Sequence, residues 1–472
     1  MGDGGAVDQL QALTGSLGQA ARLALESGVD VSLWDEAFTT LEERVAEEGI
    51  VKQWVDQAVR RVLRLKFTLG LFDPEDFEPG GAIRIHRDQA QSLNREMARQ
   101  SLVLLKNDHD LLPLNRAGLR LAVIGPNANS VYNQLGDYTP PQGAGMTTTL
   151  VEGLVEVMGT NGTVRWARGC GIRDHSTAGF EEALVLAAEA DVIVAAVGGS
   201  SARDFGTVFD SHGAAQATVN ANDMDAGEGV DVAHLSLGGE QENLIKALLK
   251  TGKPVVAVLI QGRPYAIEFL AEHCQAILCA WYPGQEGGRA IAEILLGEAA
   301  PSGRLPVSIP RSSAQLPVYY NRKDTGGVER GYRDGSARAL YPFGFGLTYT
   351  TFCYEGIEVS CQEISCQRIL AGATIQLSIA ITNVGPRAGV AVAQVYVIRE
   401  TSRVVRRRRE LKGFERIALN PGETRRVRFD LGREALEIWG IDNQWTVEPS
   451  VVRLAVGSDS ETLETRQVTL LA

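Results

Sequence analysis

The most regular feature of the sequence is a set of short apolar runs separated by segments of helical periodicity. The runs lie at 120–126, 192–198, 254–260 and 276–282. Each is continuous and rich in β-branched residues, which is typical of parallel strands buried on both faces. The segments between them, at 181–188, 243–249 and 287–296, have the pattern of helices. We therefore predict an α/β domain over residues 101–310, with helices on both faces of a parallel sheet.

The pattern changes to strict alternation of apolar and polar residues near the C-terminus. Alternating runs at 375–381, 391–397, 425–431 and 451–456 are separated by turns rich in Asn, Pro and Gly. This pattern predicts a β-sandwich of about 100 residues. We assign it to residues 366–472, and we interpret 311–365, which has Pro, Gly and aromatic residues without period, as a connecting segment.

The first 75 residues have a different pattern again, with one strong amphipathic helix that begins near Ile50 and ends at Gly70. With the short elements before it, this makes about one and a half β/α units, too few to close a barrel. We expect residues 1–75 to be the last part of a larger domain, and 76–100 to be a linker. If exposed, the apolar face of the helix should promote self-association or pack on the α/β domain. Its residues include Val51, Trp54, Val55 and Val62.

Composition narrows the function classes. The net charge of −12 argues against a general nucleic-acid binder, so we interpret the basic run 403–409 as a solvated loop. No apolar stretch is long enough to span a membrane, and the N-terminus has no signal-peptide pattern, which predicts a cytoplasmic protein. The six scattered cysteines are then expected to be free thiols. We predict neither a metal nor a cofactor, because metal-ligand clusters and phosphate-binding glycine motifs are missing.

An acidic stretch follows the second apolar run. Four carboxylates, those of Asp223, Asp225, Glu228 and Asp231, fall within nine positions, with glycines on both sides of Glu228. So many like charges cannot be buried together, and the stretch reads as an exposed loop near the carboxyl ends of the strands. A catalytic or binding loop is one interpretation. From composition alone, a solvated acidic turn or a calcium loop is the favoured one.

Many segments, in one order, resemble glycoside hydrolase family 3, the β-glucosidase and β-xylosidase type. The resemblance runs through nearly the whole chain and implies a (β/α)8 (TIM) barrel, an α/β sandwich and a fibronectin type III-like β-sandwich. The similar segments are AVRRVLRLKFTLGLF at 58–72, SLVLLKN at 101–107, VIGPNA at 123–128, LGDY at 135–138, GRP at 262–264, AWYPGQEGG at 280–288, PSGRLP at 301–306, LPVYYN at 316–321, YPFGFGLTYT at 341–350 and ELKGF at 410–414.

The resemblance implies roles for two carboxylates. Asp3 looks like the family's nucleophile, although Gly2 stands where serine is usual and Gly4 where an aromatic residue is usual. Glu228, between two glycines and followed by Asp231, looks like the acid/base. Retaining hydrolysis uses two such groups about 5–5.5 Å apart. Asp223, Asp225 and Asp231 are alternatives for the acid/base, but we expect them rather to order the loop or tune its charge. Asp225 and Asp231 are also candidates for substrate contact.

The family's first six barrel strands, which grip the sugar, lie before the position that Asp3 matches. We therefore expect a retaining, exo-acting β-glycosidase that is incomplete as this chain and acts on oligosaccharides or other β-glycosides, with little turnover by itself. A β-glucoside is the first choice and a β-xyloside the alternative. A complementing barrel chain or a homo-oligomer would be its partner. The competing hypothesis is a non-catalytic carbohydrate-binding or structural protein.

Overall fold

A computed structural model describes residues 1–47, 49–72, 87–202, 223–323 and 332–472. These residues divide into two compact units. The first contains the described residues up to 72, and the second contains those from 88 onwards.

The first unit is mainly helical over its described residues. The amphipathic helix predicted near Ile50 is confirmed as α5, and Val51 and Ala58 are buried within the unit against Leu25. Its helices are α1 (Ala6–Gln9), α2 (Gln11–Thr14), α3 (Leu17–Glu26), α4 (Leu41–Glu47) and α5 (Gly49–Thr68).

The second half of α5 and the residues after it expose large apolar side chains, which are Val59, Leu63, Leu65, Phe67, Leu69, Leu71 and Phe72. Such a surface is a usual site of association. The face expected to associate or to pack on the α/β domain is instead largely covered within the first unit, since Val51 is buried and Trp54 and Val55 pack against the same cluster. Self-association of the chain stays a prediction.

The α/β part of the second unit is built on one six-stranded sheet with the order β1-β6-β5-β4-β2-β3. All neighbouring pairs are parallel except β1 with β6. The four strands predicted from apolar runs are confirmed as β2, β4, β5 and β6. The bounds are β1 (Val103–Asn107), β2 (Leu119–Ile124), β3 (Gly162–Ala167), β4 (Val192–Gly198), β5 (Val255–Ile260) and β6 (Ala276–Trp281).

Helices cover both faces of this sheet, as the apolar pattern predicts. One buried cluster joins the sheet to α7 and α11, and a second joins its other face to α8, α9 and α10. The helices α7 and α11 pack with their backbones in close contact at Gly153 and Gly288. A side chain at Gly153 would prevent this, since its Cβ would lie 2.3 Å from the Gly288 carbonyl oxygen. Their bounds are α7 (Leu150–Met158), α8 (Phe180–Glu189), α9 (Gln241–Leu249), α10 (Glu268–His273) and α11 (Gly287–Leu295).

One predicted boundary differs from the structure. The helix α6 (Arg87–Ser101) occupies the end of the segment 76–100 that the sequence assigned to a linker. It belongs to the α/β part because Ala98 enters the buried core and because Arg95 and Arg99 both pair with the buried carboxylate of Glu293. A helix that docks through arginines carries little apolar periodicity, so the pattern did not reveal it.

The C-terminal β-sandwich is confirmed, with sheet orders β11-β10-β15-β16-β8 and β12-β9-β7 around one buried cluster. It begins before the expected residue 366, because Ile357 and Ile364 on its first strands are buried in that cluster. The bounds are β7 (Phe352–Val359), β8 (Glu363–Ser365), α12 (Cys366–Leu370), β9 (Ile375–Asn383), β10 (Gly389–Arg399), β11 (Glu410–Leu419), β12 (Thr424–Leu431), α13 (Arg433–Leu436), β13 (Ile438–Trp439), β14 (Trp445–Thr446), β15 (Ser450–Gly457) and β16 (Leu463–Leu471).

Candidate active site

The sheet has a switch point between β2 and β4, because the chain runs outward from β2 to β3 and then returns to β4 on the other side of β2. Ligands of such sheets bind beyond the carboxyl ends of the strands at this point. Gly125 and Gly198 end the two strands with φ of +135° and +134°. A Cβ on either would lie about 2 Å from a neighbouring strand's carbonyl oxygen, so only glycine fits.

A chain of polar side chains joins the loops that follow these two strands. Asn133 Nδ2 donates to Asn127 Oδ1 at 2.7 Å, and Ser200 Oγ donates to Asn133 Oδ1 at 2.8 Å. Buried polar groups that satisfy one another in this way fix the loops that carry them. The edge of the sheet at the switch point is therefore a rigid platform.

The acidic loop begins on this platform through Asp225. Its side chain is only 2% exposed, and it accepts hydrogen bonds from Ser200 N at 2.9 Å and from the Tyr265 hydroxyl. Asp225 N donates back to Ser200 O at 2.9 Å. Burial, and then the neighbouring Asp225 carboxylate, raise the pKa of Tyr265, so its hydroxyl stays a donor. This placement favours a loop-ordering role for Asp225 over contact with a sugar.

Asp223 fastens the loop at its other side to the segment after β3. Its carboxylate accepts from the backbone N–H groups of Ile172 and Arg173, both at 2.8 Å, and from Arg168 at 3.0 Å. Arg173 also donates to the Met224 carbonyl at 3.0 Å. The carboxylates of Asp223 and Asp225 accept hydrogen bonds from N–H and O–H groups of the protein. Carboxylates used in this way hold the loop in place, whereas those of a calcium loop would point their oxygens at the ion.

Glu228 lies at the tip of the acidic loop. The backbone turns there between Gly227 and Val230, whose N–H donates to Gly227 O at 3.1 Å, and the two flanking glycines have φ of +136° and +71°. Such φ values favour glycine, so the sequence Gly-Glu-Gly is what lets this turn form. The side chain of Glu228 is exposed on the turn.

Two residues of the loop after β2 hold Glu228. Asp137 Oδ2 accepts from Glu228 N at 2.9 Å, and the Tyr138 hydroxyl donates to the carboxylate oxygen Oε2 of Glu228. Tyr138 reaches this position with φ of +58°, and its own N–H donates to Asp137 Oδ1 at 2.8 Å. A non-glycine residue in this conformation is often found at a functional site.

The half-buried ring of Tyr282 supports the segment that carries Asp137. A Cβ on Gly136 would lie 3.1 Å from this ring, and one on Gly262 would lie 2.6 Å from it. Burial raises the pKa of the Tyr282 hydroxyl. Tyr282, Asp137 and Tyr138 all fall in segments that resemble the family, but the sequence pattern gave none of them a role.

Asp231 lies on the exposed side of the loop. Its carboxylate pairs with the Arg263 guanidinium and accepts from Val232 N at 2.7 Å. The hydrogen bond from Arg263 lowers the pKa of Asp231. Asp231 therefore stays ionised, and Arg263 ties the end of the acidic loop to the loop after β5.

Asp3 belongs to the first unit, whereas Glu228 and the other loop acids belong to the second. Its side chain is exposed, and Gly4 N donates to its Oδ1 at 2.9 Å. The segment before Asp3 lies beside another extended segment of the first unit, and the two are joined by a hydrogen bond from Gly2 N to Val31 O at 2.7 Å. The structure thus brings the loop acids together, with Asp3 in a separate compact unit.

Across residues 1–47, 49–72, 87–202, 223–323 and 332–472, no three His, Cys, Asp or Glu side chains are grouped as a metal would require. The helices of those same ranges include none that is both long and apolar enough to cross a bilayer.

Two family models match the chain. Residues 102–349 match the glycosyl hydrolase family 3 C-terminal domain, which is more than half of the chain. Residues 391–460 match a fibronectin type III-like domain. The first match contains the whole candidate loop and the residues that hold it, and the second lies within the β-sandwich.

Characterised relatives extend the similarity. A β-xylosidase from Formosa agariphila is 35% identical over 99% of this chain and 63% of its own length. A periplasmic β-glucosidase from Salmonella typhimurium is 34% identical over 93% of this chain and 59% of its own. The solved β-glucosidase from Listeria innocua in complex with isofagomine has 30% identity and a TM-score of 0.87, and the match covers 100% of this chain and 63% of that one. The chain thus spans about 60% of the length of these relatives.

Proposed function

The chain belongs to glycoside hydrolase family 3, and from this premise we propose that it carries the two catalytic carboxylates of a retaining, exo-acting β-glycosidase. Glu228 is the acid/base and Asp3 is the nucleophile. The substrates are terminal β-linked sugars of oligosaccharides, with a β-glucoside first and a β-xyloside as the alternative. One observation carries the proposal: Glu228 stands at the tip of a loop anchored at the switch point, with its backbone held by Asp137 and its carboxylate by Tyr138.

The proposed reaction follows the two-step scheme of retaining glycosidases. The Asp3 carboxylate attacks the anomeric carbon while Glu228 donates its proton to the leaving oxygen, which gives a glycosyl ester on Asp3. Glu228, now ionised, then takes a proton from water, and that water attacks the anomeric carbon and releases the sugar. The two carboxyl groups must come within about 5–5.5 Å for this chemistry.

The support of Glu228 matches its task in this scheme. A general acid that acts twice in each cycle must keep its orientation, and the hydrogen bonds from Glu228 N and Tyr138 provide this. The exposed position of Glu228 at the loop tip leaves it accessible to a substrate. The remaining strands of a (β/α)8 barrel would have to hold Asp3 and grip the sugar, and residues 1–75 are proposed as the end of such a barrel.

We therefore propose that turnover requires a barrel, supplied by a longer chain, a complementing chain or a homo-oligomer. The test is an assay with aryl β-glucoside and aryl β-xyloside, run on the 472-residue chain alone and after co-expression with the barrel portion of a family relative. We expect turnover only in the second case, with a preference for the glucoside. Turnover near ordinary enzyme rates by the chain alone would contradict this requirement.

Azide separates the two catalytic roles in the complemented enzyme. In Glu228→Ala, azide should replace water in the second step without needing a base, and the product should be a β-glycosyl azide. In Asp3→Ala, azide should take the place of the nucleophile and give the α-anomer. Glu242→Ala, which removes a glutamate on α9, is the matched control and should release the free sugar at the normal rate.

If every complemented form folds and none turns over either substrate, the non-catalytic hypothesis is favoured instead. Identical azide products from both variants would show that the roles of Asp3 and Glu228 are assigned incorrectly. The cytoplasmic location stays a prediction from the sequence.

A further inference from the structure

The strongest concentration of positive charge lies on the β-sandwich, far along the chain from the acidic loop. Four consecutive arginines, Arg406 to Arg409, occupy the connection between β10 and β11, in a chain whose net charge is −12. The sequence alone suggested a solvated loop. The structure instead shows that this run lines a series of clefts.

Three neighbouring clefts share the arginine run. One of about 530 Å³ and one of about 490 Å³ have Arg399, Arg406 and Arg407 in common. A third, of about 690 Å³, shares Arg408 and Arg409 with the second. The run is therefore a ridge between adjoining depressions, which suits an extended ligand better than a small one.

The backbone of this ridge is held in place. Arg408 N donates to Arg322 O at 2.9 Å, and a β-bridge joins Arg407 to Lys323. At the floor of the ridge, Arg399 donates to Ser450 Oγ at 2.6 Å and to the Leu436 carbonyl. A ridge that is ordered before a ligand arrives loses little entropy on binding.

Two tryptophans are part of the wall of the 530 Å³ cleft. Trp439 and Trp445 are cross-strand partners on β13 and β14, with ring centroids 5.5 Å apart in an edge-to-face arrangement. This contact stabilises the small hairpin, but about half of each side chain is still exposed, at 50% and 55%. Exposed indole faces beside guanidinium groups offer both a flat apolar surface and charge.

Acidic residues also line these clefts, and much of their charge is already paired. Arg433 binds Glu437 at 2.9 Å, Lys412 lies 3.7 Å from Glu410, and Arg453 pairs with Glu400. Glu434 and Glu461 line the clefts as well. Lys412 and Arg453 take part in these pairs, and the other cationic lining residues still outnumber the glutamates. These other residues are Arg322, Lys323, Arg338, Arg399, Arg406, Arg407, Arg408 and Arg409.

We infer that this surface, made of the arginine ridge and the Trp439–Trp445 wall, binds an acidic glycan chain that carries uronate carboxylates. The guanidinium groups match carboxylates in shape and charge, and the indole faces suit pyranose rings. The adjoining clefts accommodate successive sugars. The choice of a glycan over another polyanion rests on the proposed glycosidase function, but the binding itself needs no catalysis.

The test measures binding of de-esterified oligogalacturonate to the intact 472-residue chain by calorimetry and by tryptophan fluorescence. We expect binding that weakens with added salt, a change in tryptophan emission, and much weaker binding of neutral xylo-oligosaccharides. The double variant Arg406→Gln/Arg407→Gln should weaken binding about ten-fold or more. The control Arg425→Gln/Arg428→Gln, which removes the same charge from exposed positions on β12, should not.

Substitutions of Trp439 test the part that the tryptophan wall plays in binding. Trp439→Leu keeps an apolar side chain in the hairpin but removes the flat ring, and it should weaken binding, whereas Trp439→Tyr should restore it in part. Equal binding of polyaspartate or single-stranded DNA would overturn the glycan assignment, and equal losses in the β12 control would overturn the location. Because no turnover is measured, a chain that binds oligogalacturonate yet never hydrolyses a glycoside would contradict only the proposed function.

Discussion

The two proposed catalytic carboxylates differ in how the chain supports them. Glu228 sits on a loop whose base is fixed by the buried carboxylate of Asp225, and its own backbone and side chain are hydrogen-bonded to Asp137 and Tyr138. Asp3 is exposed, and among the described residues its carboxylate accepts a hydrogen bond only from the adjacent Gly4. One group is oriented by contacts distant in sequence and the other by a local contact.

This difference bears on what each proposed catalytic group needs from its surroundings. Catalytic groups must be held to about half an ångström, and that accuracy comes from surrounding residues. In the second unit, Asp137 and Tyr138 are such residues for Glu228. Asp3 needs further elements around it, which is the physical reason for expecting activity only with a barrel present.

The largest effect is expected from Asp225→Ala. This change leaves the buried Tyr265 hydroxyl and Ser200 N–H without their acceptor, and it should lower the free energy of unfolding by about 2–4 kcal/mol. Urea titration of the 472-residue chain measures it. Asp3→Ala is the matched control and should change stability by less than about 0.5 kcal/mol, because its side chain is exposed. Similar losses from both changes would remove the contrast between the two supports.

Hydrogen exchange tests the same contrast without a mutation. The amides of Asp225 and Ala226 both donate to Ser200 O, at 2.9 and 3.2 Å, within a buried part of the loop. The amide of Gly4 donates to an exposed carboxylate one residue away. When each rate is divided by the rate of the same amide in an unstructured chain, we expect Gly4 to exchange at least about a hundred-fold faster than Asp225 and Ala226. Equal protection at both places would mean that Asp3 is held as firmly as the loop.

The sequence predicted the elements that depend on repeated local patterns. The buried strands β2, β4, β5 and β6 follow from continuous β-branched runs, and the sandwich follows from alternation. The helix α6 was missed because it docks mainly through arginines to Glu293. A pattern of apolar residues carries no information about such an ion-paired contact.

The sequence predicted only part of the candidate site, for a similar reason. Asp3 and Glu228 were proposed through the family resemblance, since four clustered acids alone also fit a solvated turn. Asp137 and Tyr138 received no role, because their contacts with Glu228 span about ninety positions and depend on the positive φ of Tyr138. A single sequence shows neither the contact nor the dihedral angle.

Tyr138→Phe is expected to have an intermediate effect. It keeps the ring but removes the hydroxyl that donates to Glu228 Oε2, so the carboxyl group of the proton donor loses a hydrogen bond that orients it. In the complemented enzyme, kcat/KM for aryl β-glucoside should fall about ten-fold, while the free energy of unfolding changes little. Tyr319→Phe removes a hydroxyl from another exposed tyrosine and should leave both quantities unchanged. An unchanged kcat/KM in Tyr138→Phe would show that Asp137 and the turn suffice to orient Glu228.

The smallest effect is expected at Asp231, the loop acid whose role is least fixed. The hydrogen bond from Arg263 lowers its pKa in the folded state, so the pair stabilises the fold above the ordinary carboxyl pKa, and this contribution is lost as the pH falls through the lowered value. Asp231→Asn should therefore lower the Tm slightly at pH 7, and the difference from the unchanged chain should disappear in strong acid. Asp56→Asn on α5 removes another exposed carboxylate and serves as the control. A loss of activity in complemented Asp231→Asn far beyond its loss of stability would instead assign Asp231 to contact with the sugar.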